Sequence, residues 1–295
     1  MSVNKPIYKL RDWINIKNIN WLYLSLNPNA IELLKENPDK INWDNLSANP
    51  NAIELLKENP EKIDWDNLST NPNAIELLEK NLDKINWIYL SANPNAIKLL
   101  ENNIHKINWD FISTNPNAIE IIEKNLDKIN WNYLSGNINA IKILEENPKK
   151  INWMILSGNI NAIKLLEKNI KKIDWYYLSQ NTNAIKLLDA NYDNIDWNNL
   201  CKIHNDINIL EKHIDNINWT LICLNENVIT LLEKHQDKLL NWTLLSKNPS
   251  IFELDYNRMR INNIEFYDDL IKEVMKPSRV FKERDYDYID ELFDD

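Results

Sequence analysis

Apolar residues recur along the chain in a fixed cadence rather than in strands. Tryptophan sets the beat: Trp21, Trp43, Trp65, Trp87, Trp109, Trp131, Trp153, Trp175, Trp197 and Trp219 are each 22 residues apart, and Trp242 follows after 23. Such self-similarity predicts about eleven tandem units. The unit from Trp43 to Asp64 reads as two helices. Asn42 and its equivalents, always Asn or Asp, are N-caps for a short helix opened by Trp. Asn49-Pro50 then looks like the cap and first residue of a longer helix of about nine residues. Ala52, Ile53 and Leu56 form its apolar stripe, and Asn59-Pro60 ends it, with Asn in a left-handed C-cap. Each unit is then a helical hairpin too small to fold alone. Stacking buries its Trp, Ile and Leu side chains against the next unit. The fold class expected is all-α, an α-solenoid of about eleven 22-residue hairpins with capping segments. At ~8–10 Å per unit it would be a rod or superhelix roughly 90–110 Å long.

The frame sets the expected organisation. Residues 1–20 carry four bases against one acid, with Trp13 and Ile14 on a short helix, and act as an N-terminal cap. Residues 21–263 are the repeat array. Residues 264–295 supply a capping helix at 265–276 and an acidic tail, 285–295, with six acids and no base. Two constant positions read as structural: the Asn after each capping Pro (Asn29, Asn51, Asn73) and the Ser closing each short helix (Ser25, Ser47). Amides recurring once per unit can form a ladder on neighbouring backbone.

Composition narrows the function. Only 2 Gly occur among 295 residues, against 51 Asn. That excludes Rossmann and P-loop phosphate turns, which need Gly where backbone meets phosphate. No apolar run approaches the ~20 residues of a membrane span, and no secretory signal is visible. An intracellular, non-secreted protein with free thiols is expected.

No catalytic constellation appears, so the chain is read as a non-enzyme with neither cofactor nor metal. His213 and His235 fill the slot that is otherwise Asn59 or Asn81. Cys201 and Cys223 replace the Ser of adjacent units, too far apart for a disulfide. Together with His204 they match no compact zinc spacing.

The informative positions vary while the frame holds. The two residues after each Trp form a stripe richest in its centre, and the candidate partner-binding residues are Tyr89, Phe111, Tyr133, Ile155, Tyr176 and Tyr177. Aromatic side chains are the usual anchors of protein interfaces. The alternative is that they pad the seam between units. A second variable position drifts from Glu32, Glu54 and Glu76 to Lys142, Lys164 and Lys186. The expected function is a repeat scaffold for a protein partner. The alternatives are a self-assembling structural component or a single-stranded nucleic-acid reader. The net charge of −10 disfavours the last, because phosphate contacts need a basic track.

The Asn-Pro-Asn-Ala-Ile-x-Leu-Leu and Lys-Ile-Asn-Trp pieces, with Lys276-Pro-Ser-Arg279 near the end, resemble the Asn-rich 22-residue helical repeats of giant, mimivirus-like viruses. The resemblance covers residues 20–280. It implies a viral protein acting inside a host cell or in the virion, and it carries over no activity and no site residue.

Overall fold

A computed structural model describes residues 6–203, 207–238 and 240–261. The protein is an all-α repeat solenoid, its short helices opening alternately at Trp and at Ile.

In the second unit, Asn42 accepts the Asn45 N–H at 2.8 Å and starts the helix Trp43–Ser47. Ser47 Oγ donates to Trp43 O at 2.8 Å and accepts the Asp64 N–H of the following unit at 3.0 Å. The second helix is shorter than its sequence suggests. Asn49 caps the N–H of Asn51 at 3.0 Å, and Ala52 N–H bonds back three residues to Asn49 O. That tight turn leaves Ala52 at φ −89°, ψ 0°, so the α-helix runs only over Ile53–Glu58. The expected left-handed Asn cap is absent: no described residue has positive φ. Asn59 lies at φ −134° and donates its amide to Leu55 O at 2.9 Å, which satisfies one orphan carbonyl of the last turn. A 3-10 turn, Pro60–Lys62, leads to the next cap.

The tryptophans are not the core, contrary to the sequence expectation. All eleven repeat indoles are half-buried. The fully buried side chains are smaller: Leu46, Ala52 and Leu56 in this unit, with Ser47 and Asn49. An indole at the first position of a helix only four to seven residues long lies at the flank of the layer. In seven of the eleven, among the described residues, a lysine closes the outer face instead. Lys40 stands 4.8 Å from the Trp21 ring centre, Lys62 4.4 Å from Trp43, and Lys172 4.3 Å from Trp153.

Successive units are tied by side-chain amides. Asn49, buried, donates to Ser25 O at 3.0 Å and Asn27 O at 2.9 Å in the unit before it, and Asn51 donates to Pro28 O at 2.9 Å. The same bonds recur at Asn71, Asn93, Asn115, Asn137, Asn159 and Asn181.

The ladder has no first rung. Asn27 of the first unit donates to Ser246 O at 3.2 Å and Asn248 O at 2.9 Å, in the last unit. Asn29 donates to Pro249 O at 3.1 Å, and Asn20 N–H donates to Ser246 Oγ at 2.9 Å. Each bond repeats, across more than 210 residues, what every internal unit makes with its neighbour. The array is therefore a closed ring and not the expected rod. Eleven joints share one full rotation, about 33° each, so no net pitch remains.

The chain divides into two compact bodies: Leu10–Phe252, which is the ring, and a smaller one whose described part is 6–9 and 253–261. Within the ring body, the eleventh unit is composite. Residues 242–252 supply its first eleven positions and residues 10–20 its last eleven. The segment expected to be an N-terminal cap thus completes a unit. It holds a turn at 12–13 and a 3-10 helix, Ile16–Asn18, rather than a helix bearing Trp13 and Ile14.

A two-stranded sheet, β1 (Tyr8–Leu10) with β2 (Phe252–Leu254), replaces this unit's second helix. Arg11 N–H donates to Ile251 O at 2.9 Å, and Asp255 N–H to Ile7 O at 2.8 Å. Each step forward on one strand matches one step back on the other, so the pair is antiparallel. The expected capping helix at 265–276 and the acidic tail lie outside the described residues.

Candidate functional site

The stripe beside the tryptophans is built on the short helices, whose rigid caps and Ser relays set its spacing. Exposure separates the six candidate residues. Tyr89, Phe111, Tyr133 and Tyr176 are exposed, at 41%, 37%, 46% and 52%, whereas Ile155 and Tyr177 are half-buried.

Five of the six share the second position after Trp, at the seam between units, and Tyr176 takes the first, so the facing residue and not the position divides them. Asn45 at the second position donates to Leu22 O of the preceding unit at 2.8 Å, and Asn199 to Tyr176 O at 3.1 Å. At Ile155 and Tyr177 the preceding unit makes room with the chain's two glycines. A Cβ on Gly136 would stand 3.2 Å from Ile155 Cγ2, and one on Gly158 3.9 Å from Tyr177 Cβ. Ile155 and Tyr177 therefore pack between units. Tyr89 and Phe111 meet across one seam edge-to-face, 6.3 Å between ring centres, and Tyr176 touches Tyr177 at 5.4 Å. The exposed neighbours Leu22, Ile88 and Met154 extend the stripe.

A second apolar column escaped the sequence reading. Leu82, Ile104, Leu126, Ile170 and Tyr192 are exposed at the turn after each long helix. Pro38, Pro60 and Pro148 hold this slot in other units, so the position read as a helix terminator. The signal was the alternation of Pro with large apolar residues in one column.

The charged drift has a geometric side. Early acids are paired on their own helix: Glu32 with Lys35 at 3.0 Å, Glu54 with Lys57 at 3.2 Å and Glu76 with Lys80 at 2.6 Å. The Lys80 hydrogen bond, then its charge, holds the Glu76 carboxyl below the ordinary value. Such exposed pairs contribute little to stability.

The remaining chemical groups are absorbed by the frame. Cys201 and Cys223 are free and buried, and burial raises both thiols above the usual range. Cys223 keeps the Ser geometry, accepting the Asn241 N–H at 3.3 Å. His213 and His235 lie tilted against Trp197 and Trp219, at 5.4 and 5.1 Å between ring centres. His204 lies outside the described residues. Among the described residues, no cluster of three His, Cys, Asp or Glu side chains could hold a metal, and no helix is long and apolar enough to cross a membrane.

No protein-family model, curated protein or solved structure matches the chain.

Proposed function

We propose that the ring is a non-enzymatic scaffold that holds a protein partner on its aromatic stripe, with Tyr89, Phe111, Tyr133 and Tyr176 as anchors and Ile155 and Tyr177 as their support. The observation that carries this is the exposure of four large aromatics, three on consecutive units and Tyr176 beyond one intervening unit, along a frame tied by buried amide bonds. Rigid aromatic anchors lose little entropy when they dock. The test is affinity capture with mass spectrometry, comparing the native chain with Tyr133→Ala/Tyr176→Ala. Partners lost with an unchanged melting curve support the reading. A variant that retains every partner refutes it.

A second reading, self-assembly of rings, draws on the column Leu82, Ile104, Leu126 and Ile170. Light scattering over a concentration range tests it, and a mass fixed at one chain overturns it. The resemblance to giant-virus repeats supports placing the protein inside an infected cell, and rests on the motifs alone.

A further inference from the structure

Three features of the composite eleventh unit converge on one cleft. First, the slot that places Lys40 over Trp21 and Lys62 over Trp43 holds Asn18 here, as it holds Asn194 beside Trp175 and Asn216 beside Trp197. Among the described residues no cation stands over Trp242. Second, Trp13 occupies the position that is charged elsewhere, as at Lys35, Lys57 and Glu79. Third, the preceding unit, 219–241, carries one residue more than the others. A cleft of about 270 Å³ opens there, lined by Trp13, Asn15, Gln236, Lys238, Leu240 and Trp242. That is small, near the lower end of the ~300–1,000 Å³ common for ligand sites.

The lining is rich in donors. The Trp13 indole N–H is buried without any hydrogen-bond partner, the one such side-chain atom among the described residues. Lys238 is held loosely, 5.9 Å from the Trp219 ring centre and 3.7 Å from the adjacent Asp237 carboxylate. Asn15 has its carbonyl engaged by the Lys17 N–H at 3.0 Å, which leaves its NH₂ to offer, while Gln236 donates its own to Glu233 O at 3.0 Å. No carboxylate lines the cleft. A buried unpaired donor is costly, so an acceptor supplied here is favoured.

We propose that this cleft binds a small aromatic carboxylate. Its oxygens accept from Lys238 Nζ and from Trp13 Nε1–H, which a small turn of the indole brings from its buried position to the cleft, and its flat ring lies on the face of Trp242 that lacks a lysine. Because residues from both halves of the composite unit line the cleft, the ligand also braces the ring at its junction.

Indole-3-acetate is the probe. The readout is the indole N–H region of a ¹H–¹⁵N spectrum of the full chain, with twelve tryptophans to resolve. The Trp13 signal is assigned by its loss in Trp13→Phe. The expected result is a saturable shift of that signal. Affinity should fall about tenfold or more in Trp13→Phe, followed on the Trp242 signal, and about fivefold or more in Lys238→Gln. Indole-3-acetamide should bind at least about tenfold more weakly than the acid. Lys238→Gln leaves the junction itself untouched, so a Trp13→Phe chain that melts early does not rescue the idea. No saturable shift up to about 10 mM, affinity unchanged in Lys238→Gln, or equal binding of acid and amide each overturns the proposal.

Discussion

Ring closure makes Asn27 equivalent to an asparagine in the middle of the array, and one substitution pair tests this. Asn27 is fully buried, donates to Ser246 O and Asn248 O, and accepts the Asn29 N–H at 3.0 Å. Asn115 makes the matching bonds to Ser91 O at 3.1 Å and Asn93 O at 2.8 Å, and accepts the Asn117 N–H at 3.0 Å. Changing either to Ala removes three hydrogen bonds, each with a net contribution of about 0.5–1.5 kcal/mol, and strands buried carbonyls. The expected loss is about 2–4 kcal/mol at both sites. In an open solenoid Asn27 would have no unit before it. Its loss would then cost only a cap, about 1 kcal/mol. Urea titration followed by circular dichroism measures both variants, with equal slopes required for the comparison. A loss at Asn27 less than half that at Asn115 would refute closure.

Other consequences are simpler to read. Gly158→Ala should raise stability by about 0.5–1 kcal/mol, since its new Cβ meets only ordinary contacts at 3.6 Å, whereas Gly136→Ala should gain less because Ile155 Cγ2 lies at 3.2 Å; thermal melts rank the two. Lys62→Met should cost about 0.5–1 kcal/mol through the bare Trp43 face, and a loss no greater for the uncapping Lys62→Ala than for a distant exposed Lys98→Ala would argue against a cation–π role. Burial raises the Cys201 and Cys223 thiols, so the folded state holds their protons more tightly than the unfolded chain. Their contribution is complete below the ordinary thiol range of the unfolded chain and fades as pH rises through the higher folded values. Stability should therefore fall at alkaline pH in the native chain more than in Cys201→Ser/Cys223→Ser, and native thiols should resist iodoacetamide at pH 7.5.

The repeat, its caps and the amide ladder were legible because each depends on neighbours in sequence or on a constant register. Asn42 must cap Trp43 whatever lies beyond, and Asn51 meets Pro28 in every unit alike. Closure was not legible, because it depends on the angle at each joint, and no residue type reports an angle. One clue lay in the numbers: residues 10–20 and 242–252 together make one unit. The role of Trp was misjudged for a related reason. A large apolar side chain invites burial, but the core is set by Leu46, Ala52 and Leu56, small enough to fit between closely stacked helices. In the candidate site, the type of residue after Trp was visible, while its division into exposed Tyr133 and seam-packed Tyr177 needed the facing glycines.

The shared eleventh unit also bears on how such a gene can change. An open tandem array tolerates gaining or losing a copy, since each module leans only on its neighbours. Here a deletion of one 22-residue module would ask every surviving joint to bend from about 33° to about 36° at once, or leave Asn27 and Asn248 without each other. Recombination between such alike segments is thereby filtered at the protein level, and copy number becomes a trait under selection rather than a drifting one.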